Sequence, residues 1–144
     1  MNEEQALSTF LYTTLSGDTA VAALVGTRIF EDLAPQGTAF PFVVFSFHTG
    51  GDTNALGSDV RTLTRPQYLI RAISKGPTYS DADAVAAAVD AALMGAHGSA
   101  TVNGVTYEVL TVFREQAIRR CEYAESVRYN HAGGLYRIPC YRSS

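Results

Sequence analysis

This protein has few histidine and cysteine residues, whose side chains are the best suited to catalysis or metal binding. His48, His97 and His131 lie far apart in the sequence, and none has a ligand partner two or four residues away. The spacing of Cys121 and Cys140 fits no metal or redox motif. Because a zinc site needs several nitrogen or sulfur ligands brought together, this pattern disfavours a metal centre.

A cysteine nucleophile is a second possibility. Cys121 follows Arg119 and Arg120, and nearby positive charge can make a thiol reactive. No other feature of this segment marks a nucleophile. Cys140 lies in a predicted strand, where a buried structural thiol is the usual outcome. We therefore expect two free thiols without a catalytic role.

Two further patterns match chemical motifs only in part. Asp81 and Asp83 lie two residues apart at the start of a predicted helix, so their side chains point to different faces, and helix capping explains them better. The glycine-rich segment 49–57 lacks the Gly-Lys-Ser/Thr ending of a phosphate-binding loop. We expect neither an enzyme nor a bound cofactor.

Length and composition predict one globular domain. The chain has 144 residues, of which 47% are hydrophobic and 17% charged. No apolar run reaches the roughly 18 residues of a membrane helix, and the acidic start MNEEQALS is unlike a secretion signal. The net charge of -3 argues against nucleic-acid binding as the main task, because phosphate neutralisation needs a basic surface.

The charges are unevenly distributed. Residues 1–113 hold 11 acidic and 5 basic side chains, a net of -6, whereas residues 114–144 hold 3 acidic and 6 basic ones, a net of +3. Ten of the 11 basic residues are arginine, and Lys75 is the one lysine. Arginine is enriched in protein interfaces, but a GC-rich genome accounts for its abundance about as well.

Helical spacing of apolar residues predicts three helices. The first begins near Asn2 and ends at Gly17, and a short second helix runs between Asp18 and Gly26, so the two form a helical hairpin. An alanine-rich helix with Ser80 as its cap extends to Gly95.

The strand predictions come from apolar runs and turn residues. Phe42–Phe47 is apolar on both faces and predicts a central strand, and Asn103-Gly104 is typical of a hairpin turn. Residues 48–63 are predicted to form a long loop or a hairpin tip, and residues 118–128 a charged linker. A last strand near 135–141 contains Pro139, which favours an edge position or a bulge.

This order of elements predicts the fold class. It indicates an α+β domain whose mostly antiparallel sheet is packed by the N-terminal helical hairpin and by one central alanine-rich helix. No repeat, low-complexity tract or domain boundary interrupts residues 1–144.

Several strings, in the same order, resemble the tail-completion or tail-terminator proteins of long-tailed bacteriophages. They are DTAVAALVG, Arg28-Ile29-Phe30, APQG, FPFVVFS, QYLIRAIS and SDADAVAAAVDAAL. The resemblance extends over roughly residues 5–142 and is strongest in the N-terminal half. It implies an α+β fold without catalytic residues or cofactors.

The resemblance also implies a role in the virion. Such a protein assembles in the host cytoplasm as a ring of six copies, caps the tail tube, ends tail polymerisation and joins the tail to the head. The implied partners are other copies, the tail tube protein and a head-closure or connector protein, with DNA passing through the lumen without specific binding. Another neck component, such as a head-closure ring protein, and a small cytosolic binding domain or enzyme remain the alternatives.

A ring requires two different, complementary patches on each subunit. The acidic body and the basic C-terminal segment of this chain can supply them. We expect Arg119, Arg120 and Arg128 to face acidic groups of a neighbouring subunit or ring. Glu122 and Glu125 lie on the same segment and belong to this predicted interface.

The segment 48–63 is a second candidate interface. Asp52, Asp59 and Arg61 are expected to face the lumen or an adjacent ring. Negative charge on such a loop suits a channel through which DNA slides, because like charge repels phosphate. A solvated loop tip is an equally good interpretation.

Overall fold

The computed structural model describes residues 2–54 and 61–143. The helices in these ranges are α1 (Asn2–Ser16), α2 (Thr19–Val25) and α3 (Ser80–Leu93). The strands are β1 (Ile29–Glu31), β2 (Phe42–Thr49), β3 (Asp52–Asn54), β4 (Arg61–Thr64), β5 (Gln67–Lys75), β6 (Gly98–Val102), β7 (Val105–Val109), β8 (Phe113–Ala124), β9 (Val127–Arg137) and β10 (Cys140–Arg142). None of the helices described is long and apolar enough to span a membrane.

The strands form two five-stranded sheets. The first sheet has the order β1-β2-β5-β9-β8, and the second sheet has the order β3-β4-β10-β7-β6. Strands β1 and β2 pair in parallel, whereas the other neighbouring strands pair antiparallel. The predicted α+β class with mostly antiparallel pairing is therefore confirmed, with the strands divided between two sheets.

The run Phe42–Phe47 forms most of β2, and its residues 42–45 are buried on both faces, as predicted, while Phe47 is exposed. Val43 and Phe45 belong to the main core, while Phe42 and Val44 form a smaller cluster with Ile73 on the other face. A strand with apolar residues on both faces needs such cover. The position of β2 between β1 and β5 follows from this pattern.

The helices cover one side of the first sheet, which we call its helix face; the opposite side is its open face. Leucines at four-residue spacing on α1 are fully buried, and so is Leu93 of α3. Full burial of one such side chain contributes about 1.5–3 kcal/mol. They pack with Ile70 of β5, which explains the apolar period recognised in the sequence.

Asp18 caps α2, whereas the cap predicted for α3 is wrong. The Asp18 carboxylate accepts a hydrogen bond from the Val21 amide at 3.0 Å, at the start of α2. At α3 the cap position is Tyr79, which makes no side-chain capping bond, and Ser80 is the first helical residue. The Ser80 amide instead donates to the Thr78 hydroxyl at 3.4 Å, because the preceding turn brings that hydroxyl to the helix start.

The predicted linker 118–128 is wrong, because these residues belong to the β8–β9 hairpin. Its turn residues Glu125 and Ser126 have positive φ values of 52° and 66°, as a two-residue hairpin turn requires. The charged residues resembled a linker in sequence, but an edge strand tolerates charge on side chains that face solvent.

The other turn predictions have mixed outcomes. The Asn103-Gly104 hairpin is confirmed as the β6–β7 turn. The prediction of one strand over 135–141, at a sheet edge or with a bulge, is wrong. Pro139 lies between β9 and β10, and β10 lies between β4 and β7. Of the two interpretations for 48–63, the described residues support the hairpin, because β3 pairs with β4.

Candidate assembly interface

The β8–β9 hairpin carries the arginine-rich segment and lies at one edge of the first sheet. Strand β8 pairs with β9 from Phe113 to Ala124. Its residues are exposed except Ile118, which is half-buried. Alternation along β8 places Arg119 on the helix face and Arg120 on the open face, so the predicted interface residues divide between two environments.

On the helix face, two of the predicted interface arginines already have partners in their own chain. Arg119 donates to the Asp83 carboxylate at 2.9 Å, and its guanidinium lies 4.0 Å from the centre of the Tyr79 ring. Arg128 donates to the Asn130 side-chain oxygen at 2.7 Å and to the Pro77 carbonyl at 3.0 Å. These contacts join the hairpin to the start of α3. The Arg119 side chain remains 58% exposed and can take a further partner.

On the open face, Arg71, His131 and Glu122 form a chain of hydrogen bonds. Arg71 donates to Nδ1 of His131 at 3.3 Å, and Nε2 of His131 lies 2.9 Å from the Glu122 carboxylate. Because arginine can only donate, Nδ1 must carry a lone pair, and the imidazole is neutral with its proton on Nε2. His131 is 5% exposed, whereas Arg120, its neighbour on β8, makes no ion pair or hydrogen bond to any residue described.

The pKa shifts of His131 and Arg71 agree with the geometry of these hydrogen bonds. Burial lowers the pKa of His131; Glu122 opposes the shift, while Arg71 and Arg120 add to it. Burial also lowers the pKa of Arg71, and the charge of Arg120 acts in the same direction. The Nε atom of Arg71 is buried without a partner among the residues described. The open face therefore carries more guanidinium charge than its carboxylates balance.

A pH dependence of stability follows from the lowered pKa of His131. Below its usual value of 6.5 the unfolded chain binds a proton that the native His131 does not bind, so stability falls as the pH falls. One such group contributes at most about 1.4 kcal/mol per pH unit. We expect His131→Gln to weaken this dependence. Urea unfolding of both proteins between about pH 7.5 and pH 5.5 tests it, and equal slopes would contradict the neutral assignment.

A groove of about 380 Å³ lies between α3 and the hairpin. Ion pairs border it, Arg119 with Asp83 at 2.9 Å and Arg114 with Asp90 at 4.0 Å. Its other lining residues are Ala86, Ala87, Ala117, Ile118, Ala132 and Gly133. No histidine or cysteine lines it, so another side chain can pack in this groove, but the groove has no group for nucleophilic catalysis.

The second candidate interface is described only in part. Asp52 lies on β3, and its carboxylate accepts a hydrogen bond from the Thr64 hydroxyl at 3.1 Å. Arg61 begins β4, opposite Asn54. Asp59 lies outside the described residues. The structure therefore describes the two strands of this hairpin. That the hairpin faces the lumen or an adjacent ring stays a prediction.

The residues singled out for chemistry are not brought together. Among the described residues, no group of three or more histidine, cysteine or acidic side chains is arranged to hold a metal ion. Cys121 is exposed and Cys140 is buried, and both are free thiols. Burial raises the pKa of the Cys140 thiol to about 12, which keeps it protonated.

Sequence reasoning missed Asn130 and Arg71. Asn130 is fully buried and donates to the carbonyls of Gly76 and Thr78 at 3.1 and 2.8 Å. It thereby ties β9 to the turn before α3. Arg71 is a charged residue within the apolar strand β5, and this was the one available signal. Asn130 lies among other polar residues of β9, and its partners are more than 50 residues away.

The match to a known family decides which class of protein this is. The model of the family described as "Tail completion protein gp17" matches residues 9–122. The chain belongs to the tail completion family. This is a family of virion structural proteins and not of enzymes, in agreement with the sequence-based prediction.

Two solved structures have a fold similar to that of this chain. A chain of the "Virion of native gene transfer agent (GTA) particle" has a TM-score of 0.71 and 23% identity, over 97% of each chain. A second solved structure has a TM-score of 0.53 and 14% identity, over 97% of this chain and 96% of the other. No curated protein matches the chain. At these identities the two structures show the fold shared with this tail completion protein.

Proposed function

We propose that this tail completion protein caps the end of the tail tube as a ring of six copies, ends tail polymerisation and joins the tail to the DNA-filled head. The observation that carries the proposal is the family match over residues 9–122. The similarity of fold to a chain of a gene transfer agent virion supports a place in a particle. Each copy contributes one domain to the ring, and the ring assembles in the host cytoplasm.

The proposed partners follow from this position. One side of the ring contacts the last ring of tail tube protein, and the other contacts a head-closure or connector protein, while DNA passes through the lumen without specific binding. The arginine-rich hairpin and the β3–β4 hairpin are the proposed contact surfaces. Residues Arg119, Arg120, Glu122, Glu125 and Arg128 belong to the first, and Asp52, Asp59 and Arg61 belong to the second.

Deletion of the gene tests this function. We expect electron microscopy of the lysate to show DNA-filled heads beside separate tails of uncontrolled or abnormal length, because nothing stops tube growth or bridges the two parts. A copy of the wild-type gene supplied in trans is the control and restores joined particles. Joined particles of normal tail length in the deletion strain would refute the proposal.

A further inference from the structure

The first sheet has two edges with different properties. At one edge, β8 is a 12-residue strand whose single hydrogen-bonded neighbour among the described strands is β9. It contains neither proline nor glycine to interrupt pairing. A long exposed edge of this kind offers a row of backbone donors and acceptors to another chain.

At the opposite edge, β1 is a short strand with acidic residues at its end. The Val43 amide bonds to the Arg28 carbonyl, and the Asp32 amide bonds to the Phe45 carbonyl, both toward β2. The intervening Ile29 carbonyl and Glu31 amide therefore point away from the sheet. Glu31, Asp32 and Leu33 are exposed, Leu33 to 83%.

We propose that successive copies of this protein join through these two edges, with β8 of one copy pairing with β1 of the next. The inference rests on the proposed ring and deepens it by naming the contact between subunits. Such a contact uses two different surfaces of each copy, and this is the kind that closes into a ring.

Strand polarity supports this pairing. Within the first sheet β1 runs parallel to β2, and the succession of antiparallel pairs makes β8 run opposite to β1. In a ring whose strands lie roughly along the axis, rotation preserves the direction of every strand. β1 of the next copy is then antiparallel to β8, and antiparallel pairing is the more stable arrangement.

Charge supports the same pairing. Arg119 and Arg120 lie on β8, and Arg119 keeps a side chain that is 58% exposed beside its bond to Asp83. The two acids of this strand, Glu115 and Glu122, are bonded to Arg137 and His131. The β1 edge carries Glu31 and Asp32 close together. Opposite charges across two strands stabilise their pairing. The edge strand β6 carries no charged residue, so it offers no such match.

The faces of the strands limit the register to every second residue, and charge selects one of these registers. Ile29 belongs to the core on the helix face, so Glu31 lies on that face as well, in contact with Ser8 of α1 through a hydrogen bond. Its counterpart on β8 must lie on the same face, and Arg119 does. Pairing Arg119 with Glu31 of the next copy places Arg120 opposite Phe30, where the guanidinium can stack on the ring.

Disulfide trapping tests the register. In a Cys121→Ser background, one chain carries Arg119→Cys and a second, of different length because of a tag, carries Glu31→Cys. Directly opposed residues of paired strands lie within disulfide reach. We expect the mixed dimer to exceed either homodimer by roughly tenfold or more under mild oxidation, because the ordered contact raises the effective concentration of the two thiols.

A third chain with Ser99→Cys on β6 is the matched control, and we expect it to give little product with either partner. Thermal unfolding checks that each variant is folded. Homodimers in excess, equal trapping by the β6 control, or no mixed dimer from folded variants would overturn the edge pairing. A normal deletion phenotype with a strong mixed dimer would instead overturn the tail function and leave the pairing in place.

Discussion

Replacing Gly133 with alanine is expected to prevent stable folding of this tail completion protein. A Cβ atom at this position would lie 2.0 Å from the Ile70 carbonyl oxygen and 2.6 Å from the Arg71 Cα atom. Both are backbone atoms of β5, so no side-chain rotation relieves the overlap. We expect the free energy of unfolding to fall by roughly 3 kcal/mol or more, as measured by urea unfolding.

Gly51→Ala is the matched control for this experiment. A Cβ atom at Gly51 would meet only the end of the Arg65 side chain, at 3.7 Å. We expect its effect to stay within about 0.5 kcal/mol, as for most surface changes. If Gly133→Ala unfolds like this control, then β5 and β9 do not approach each other as closely as the structure indicates.

Replacing Asn130 with alanine is the second change with a large expected effect. The side-chain nitrogen of Asn130 donates hydrogen bonds to the carbonyls of Gly76 and Thr78. Its side-chain oxygen accepts a hydrogen bond from Arg128 at 2.7 Å. The substitution leaves these buried or half-buried groups without partners. We expect a loss of about 2–4 kcal/mol in the free energy of unfolding, with faster hydrogen exchange in the turn before α3.

Ser74→Ala provides the comparison, because Ser74 is the most distant partner of the same amide, at 3.3 Å. Its removal leaves the two carbonyl bonds intact, and we expect it to cost about 1 kcal/mol or less. Equal losses for Asn130→Ala and Ser74→Ala would show that the bonds to the turn contribute little. The connection between the hairpin and α3 would then depend on Arg119 and Arg128 alone.

The elements that sequence predicted well are those whose signals are local. The leucines of α1 recur at helical spacing, so one face of that helix is apolar in any fold that buries it. Asn103-Gly104 accepts the positive φ values of a tight turn, 53° and 77° here, at low cost. The apolar run of β2 required cover on both faces wherever the sheet lay.

The errors arose where long-range pairing overrides local composition. Residues 118–128 are rich in charge, which is typical of a linker, yet β9 pairs with β8 without interruption from Gln116 to Ala124. Pro139 was expected at a sheet edge or in a bulge. The chain instead leaves the first sheet after Arg137 and enters the second at Cys140, so the proline lies between two strands, where its missing amide donor is not needed.

The sequence predicted which residue types form the candidate interface, but it did not predict how those residues are arranged. The excess of arginine in the C-terminal segment pointed to a contact surface, but no local pattern separates Arg119, bonded to Asp83, from Arg120, which has no such bond to a described residue. The hydrogen-bonded chain of Arg71, His131 and Glu122 joins residues 60 and 9 positions apart. Only the register of three strands places them side by side.

The sequence by itself determined the class of this protein, its helices, its central strand and its family, because periodicity, turn residues and the order of short strings are properties of the chain. The tertiary structure alone decided which strands share a sheet, which strands lie at the sheet edges and which arginines are already bonded. These depend on hydrogen bonds between distant segments, and each strand carries little information about its partner until the sheet has formed.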